Sequence, residues 1–141
     1  MIKIKMGGTE LGLRFDGYAY ELMYEQFGGW EKAVQLLAGK DENGEKITDK
    51  IRLQHQVLNA CIDVVVCMGN AALYSLGEPE ELNHKRVASM LMPGNIGPVA
   101  KAVMAALNEG MHTEIETGAS NGGAVDVTLQ ELDAAEKKAE P

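Results

Sequence analysis

Aromatic residues are scarce in this chain, at 5% of 141 residues, and positive charge is short as well, with 13 Lys and Arg against 21 Asp and Glu. The first shortage leaves no series of stacking platforms for single-stranded nucleic acid. The second gives a formal charge of −8 and a pI near 4.8. That balance opposes nucleic acid as the main partner, because phosphate binding starts from a basic patch. Cysteine is limited to Cys61 and Cys67. On one helix their Cα atoms would lie about 9 Å apart along the axis, beyond the roughly 7 Å that a disulfide spans. They read as small buried apolar residues of a reducing compartment. The opening MIKIKMGG has no apolar core of a secretion signal, so a cytoplasmic protein is expected.

Catalytic and cofactor patterns are lacking too. His55, His84 and His112 fall in separate segments with no Cys or carboxylate at metal-ligand spacing. The glycine pairs Gly7-Gly8, Gly28-Gly29 and Gly122-Gly123 lie outside any phosphate-loop or dinucleotide pattern. No serine sits in a nucleophile elbow, and neither cysteine has a cationic neighbour in the sequence to activate it. His55 and Asp63, the central titratable candidates, are eight residues apart on one expected helix, so they do not form a pair. The chain therefore reads as non-catalytic, without cofactor or metal.

What is present is an apolar run at 53–76, LQHQVLNACIDVVVCMGNAALYSL. Leu53, Val57, Ala60, Val64, Cys67 and Ala71 recur at helical steps; Leu58, Ile62, Val65, Gly69, Ala72 and Leu76 repeat those steps, displaced by five residues. At 100° per residue the two stripes stand roughly 140° apart. A surface helix needs one stripe, and two imply burial on both sides. Either the rest of the chain closes over both, or one stripe meets another protein. On the second alternative the stripe from Leu58 to Leu76 is the candidate partner or oligomer interface. Asp63, in mid-run, is the one odd polar residue: a water-facing edge, a satisfied hydrogen bond, or a specificity contact in an interface. A central Asp costs about 2.5–3.5 kcal/mol on membrane insertion, and no cationic anchors flank the run, so a membrane span is not expected.

Around this helix the pattern predicts a mainly α domain of five helices with an N-terminal β-hairpin. Ile2, Ile4 and Met6, then Leu11, Leu13 and Phe15, alternate with polar or small residues on either side of Gly7-Gly8. Helices are expected at 17–27, capped by Asp16 and stopped by Gly28-Gly29, and at 30–37. The segment 39–47 reads as a surface loop, and Thr48 or Asp49 caps the long helix. After the breaker Gly77-Glu78-Pro79, helices follow at 80–92 and 96–109, the last capped by Asn95 and closed by Gly110. The domain spans 1–110. From 111 to 141, seven acidic residues against two lysines carry −5 of the charge, and the segment reads as a flexible acidic tail.

The order of parts resembles a known family. KIKMGGTELGLRF leads into YAYELMYEQFGG. WEKAVQLLAG then precedes a long helix ending in CMGNAALYSLGE, and HKRVASMLMPG comes before PVAKAVMAALNEGM. Leu13-Arg14-Phe15, Met68 to Tyr74, Glu78-Pro79-Glu80-Glu81-Leu82 and the closing Val99, Ala102, Val103, Ala106 and Leu107 are similar to the segments of the compact, mostly helical tail assembly chaperones of long-tailed phages. The loop 39–47 and the glycine-rich tail depart from that pattern. The resemblance implies a phage or prophage protein in the host bacterial cytoplasm that is not part of the mature virion. It would bind and solubilise the tape-measure protein during tail morphogenesis without catalysis. It would also self-associate as a homo-oligomer, with the tail-tube protein as a further candidate partner. The alternative is a small helical adaptor or regulator acting by protein–protein contact.

Overall fold

The computed structural model describes residues 1–112. Gly7 and Gly8 both take positive φ, at 54° and 79°, as a two-residue turn of the hairpin type demands and as side-chain-bearing residues resist. The turn joins β1 (Ile2–Met6) to β2 (Thr9–Leu13) in an antiparallel pair with Ile2 opposite Leu13 and Ile4 opposite Leu11. Met6, Leu11 and Leu13 are buried, with Ile2 and Ile4 packed against them. This two-stranded sheet is too small to stand alone. It is anchored at its exit, where the Arg14 N–H donates to the Met68 carbonyl at 3.2 Å.

Asp16 starts α1 (Gly17–Phe27), its Oδ1 accepting the Ala19 N–H at 2.9 Å. Gly28, at φ 83°, ends the helix by donating to the Tyr24 carbonyl. A short α2 (Trp30–Leu37) and the loop after it lead to Asp49, whose carboxylate accepts the N–H groups of Ile51 and Arg52 and opens α3 (Lys50–Ser75). Of the two caps expected, Asp49 is the one used.

α3 is the axis of the fold, touching α1, α2, β2 and the later helices α4 (His84–Met90) and α5 (Ile96–Met111). By length and composition it could cross a membrane, but here its middle is enclosed by the protein's own elements. Both apolar stripes are sealed. Ala60, Val64, Cys67 and Ala71 are at most 5% exposed on one side, and Ile62, Val65 and Ala72 at most 4% on the other. The expectation that the second stripe is a free interface is therefore corrected for Ile62, Val65, Gly69 and Ala72. The hairpin and the segment before α4 close that side, with Gly12 of β2 against Ala72 and Leu82 against Gly69. Only the ends of the stripe reach water, at half-buried Leu58 and at Leu76, which is 64% exposed.

Helix boundaries differ from the sequence expectation at the end of α4, which stops at Met90 rather than at 92, and at two further places. Residues 80–83 are not helical: α4 starts after Asn83, whose Oδ1 accepts the Arg86 N–H at 2.9 Å. Asn70 causes this. Its amide donates to the Leu82 carbonyl at 2.9 Å and accepts the Leu82 N–H at 3.1 Å, holding that backbone away from a helical path. At the other boundary, Gly110 does not close α5, which continues to Met111. A Cβ at Gly110 would overlap the Phe15 carbonyl oxygen, so the glycine serves a close approach of α5 to the hairpin exit. Asn95 precedes α5 without a side-chain cap bond, because the 3-10 turn Pro93–Asn95 delivers the chain into the helix. The sequence pattern of five helices and an N-terminal hairpin is the fold observed. The expected acidic tail lies, from residue 113 onward, outside the described residues.

Candidate interaction surface

With the middles of both stripes sealed, α3 retains an edge carrying Asp63, Asn70 and Tyr74 at steps of seven and four, while Cys67 between them belongs to the buried first stripe. α1 flanks it in the opposite direction, with Tyr18 beside Tyr74 at a ring separation of 5.2 Å and Gln26 donating to Asp63 Oδ2 at 3.4 Å. The 78–83 segment and the start of α4 flank it on the other side. There the Tyr18 hydroxyl donates to Glu80 Oε1, and His84 Nδ1 meets Asp63 Oδ1 at 2.7 Å.

The surface of this face is aromatic and acidic at one end, with the basic run His84-Lys85-Arg86 along its α4 side. Tyr18 is 37% exposed and Tyr74 66%. Glu21, Glu25, Glu78, Glu80 and Glu81 are all exposed around them. Arg86 lies 3.7 Å from Glu81, whereas Glu21, Glu25 and Glu78 have no ion-pair partner among the described residues. Two groups register the resulting negative potential. The Tyr18 hydroxyl is pushed above its ordinary pKa by its hydrogen bond to Glu80, then by desolvation and the charges of Glu80 and Glu25. The Cys67 thiol is pushed up to about 12, first by burial and then by the carboxylates of Asp63 and Glu25.

That arrangement limits the chemistry available. Asp63, His84 and Cys67 gather on one face, which the spacing of 21 residues between Asp63 and His84 concealed. A nucleophilic thiol needs a lowered pKa, and here the carboxylates act in the opposite sense. Cys61 is likewise pushed up, to about 11, by burial. His55 is exposed, and Asp63 pairs with His84 rather than with it. Among the described residues no group of three His, Cys, Asp or Glu side chains is placed to hold a metal. A cleft of about 610 Å³ lies between the end of α1, α2 and the loop at Asp41–Asn43. Its lining mixes Lys32, Asp41 and Glu42 with amides, and Gln35 spans it by donating to the Asp41 carbonyl at 2.7 Å.

Of the residues expected to form the interface, then, Leu58 and Leu76 are accessible, while Ile62, Val65, Gly69 and Ala72 lie inside. Tyr18 and Tyr74 were not singled out from the sequence as site residues. The signal available was the recurrence of Asp63, Asn70 and Tyr74 on one side of an otherwise apolar run. No family model, curated protein or solved structure matches the chain.

Proposed function

We propose that this protein is a non-catalytic assembly chaperone that binds and solubilises the tape-measure protein during tail morphogenesis in a long-tailed phage. The observation that carries the reading is the pair of exposed rings Tyr18 and Tyr74, packed together at the end of α3, on a subunit that also leaves Tyr20, Tyr24, Ile51 and Leu76 outward. A protein that shields another from aggregation must present apolar surface outward, and a contiguous patch of such side chains marks an interaction site. The order of hairpin, two helices, long helix and two closing helices is the order on which the family resemblance rests. The two-striped α3 no longer contributes, since its sides are used internally.

In this reading the protein acts in the host cytoplasm, self-associates when no client is present, and leaves before the virion is complete. The tail-tube protein displaces it. The experiment is co-expression with the long helical product encoded beside it. The expected result is that the long protein stays soluble and co-purifies only when this chain is present. A long protein that is equally soluble alone, or that never co-purifies, overturns the reading and favours an adaptor of some other partner.

A further inference from the structure

One edge of the hairpin is closed and the other is open. The two-residue turn at Gly7-Gly8 makes Met6 and Thr9 the first hydrogen-bonded pair, so Ile2, Ile4 and Met6 aim their backbone groups at β2. The N–H and C=O groups of Glu10, Gly12 and Arg14 point away on the β2 side, which leans on α3 through the Arg14–Met68 bond. Those of Lys3 and Lys5 point away on the β1 side, where no described residue bonds them. Beside them Ile2 and Ile4 are only half-buried, although α5 packs on β1. Both lysine side chains are exposed; Lys3 lies 3.7 Å from Glu10, and Lys5 has no ion-pair partner among the described residues. An unpaired edge of this kind is a template for a further strand.

We infer that residues 125–129 of this chain, VDVTL, add to β1 as a third, antiparallel strand. Val125, Val127 and Leu129 alternate with Asp126 and Thr128, the same period of two that sets Ile2, Ile4 and Met6 against Lys3 and Lys5. Matching the apolar faces in the antiparallel sense puts Asp126 opposite Lys5, Val127 opposite Ile4 and Thr128 opposite Lys3. Asp126 and Thr128 then exchange N–H···O=C bonds with Lys5 and Lys3, and the Asp126 carboxylate meets the Lys5 ammonium. The valines and Leu129 cover the open flanks of Ile2 and Ile4. The chain can reach. α5 ends beside the start of β1, where the Met1 ammonium lies 2.7 Å from Glu109 Oε1. β1 is about 17 Å long at strand rise, and the linker 113–124 extends to about 40 Å. Gly118, Gly122 and Gly123 in that linker suit the reversal it must make. The strand needs no partner protein, so the inference stands apart from the chaperone reading.

The test is amide hydrogen exchange on the full chain, followed residue by residue by NMR. The Lys3 and Lys5 amides should exchange at least tenfold more slowly in the wild type than in Thr128→Pro, which lacks the N–H aimed at the Lys3 carbonyl. Asp126→Lys places like charge opposite Lys5 and should speed both amides at least threefold. The amides of Val64 and Val65, in the middle of α3, should keep their wild-type rates in both variants, which shows that the domain itself is intact. Lys3 and Lys5 amides that exchange at the rate of an open chain in the wild type overturn the inference. So does protection that survives Thr128→Pro. Protection that falls when the protein is diluted a hundredfold also overturns it, since a second copy would then supply the strand.

Discussion

Replacing glycine by alanine at three helical positions separates packing from backbone preference. In a helix interior the change stabilises by about 0.5–1 kcal/mol when the new methyl meets nothing. Gly97, in the first turn of α5, meets nothing beyond its chain neighbours, but it precedes Pro98, whose ring crowds a Cβ on a helical residue before it, so Gly97→Ala should fall short of that gain and stay close to wild type. At Gly69 the methyl would overlap Leu82 Cδ1, the far end of a flexible side chain, and Leu82 can turn aside. The overpacking cost of about 1–3 kcal/mol then roughly cancels or modestly exceeds the gain. At Gly110 the obstacle is backbone. The methyl would overlap the Phe15 carbonyl oxygen and stand 2.9 Å from Phe15 Cβ and Cδ2, so α5 and the hairpin exit must move apart. A net loss of about 2 kcal/mol follows, or about 10 °C in melting temperature for a domain of this size. Thermal and urea unfolding followed by far-UV circular dichroism should place Gly97→Ala close to wild type, Gly69→Ala level with or slightly below them, and Gly110→Ala last. If Gly110→Ala proves as stable as Gly97→Ala, the last turn of α5 does not press on Phe15 and the docking of α5 described here is wrong.

Val65 is fully buried, so Val65→Asp forfeits about 2 kcal/mol of burial and adds a carboxyl without partners. The sum, about 4–5 kcal/mol, rivals the whole stability of a small domain, and soluble yield and helical signal should collapse; a folded variant that loses only self-association would restore the stripe as an interface. Asn70→Ala strands both polar groups of the Leu82 backbone and should cost about 2 kcal/mol in urea unfolding, with no measurable change counting against the clamp. With their pKa values raised from 9.0 to about 11 and about 12, Cys61 and Cys67 remain protonated in the folded state. A thiol reagent at pH 8 should modify them only as fast as the protein opens, and prompt stoichiometric labelling would contradict their burial. Because unfolded thiols ionise first, stability is unaffected by these groups below pH 9 and falls between pH 9 and about 12, as alkaline melts should record.

The elements were legible wherever one residue type has one physical use. Gly7-Gly8 forces a two-residue turn, Asp16 and Gly28 delimit α1, and the periodic apolar residues in the middle of α3 and along α5 are the buried ones. The failures come from side chains acting across the chain. Nothing local to residues 80–83 says that Asn70, twelve residues before Leu82, will bind that backbone and delay α4. Nothing around Gly110 names Phe15 as the reason it must be glycine. Asp63 was visibly out of place in an apolar run, but its partners Gln26 and His84 are 37 and 21 residues away. Its character as a satisfied hydrogen-bonding group was among the alternatives open in the sequence; the identity of the partners was not.

The interface expectation failed for a geometric reason that also relocates the surface. Two stripes about 140° apart on a helix tell how much of its circumference is apolar, not how many elements the same chain will wrap around it. At 26 residues α3 is about 39 Å long, longer than the elements packed on it, so they cover its middle and leave its ends. Ile51 at one end is 80% exposed, and Tyr74 and Leu76 at the other are 66% and 64% exposed, while Val64, Val65 and Met68 between them are fully enclosed. The apolar surface that α3 offers is therefore end-on. At the C-terminal end it lies beside the Tyr18 and Tyr74 rings and close in sequence to Glu78, Glu80 and Glu81, because the elements that cover the middle of α3 stop short of its last turn.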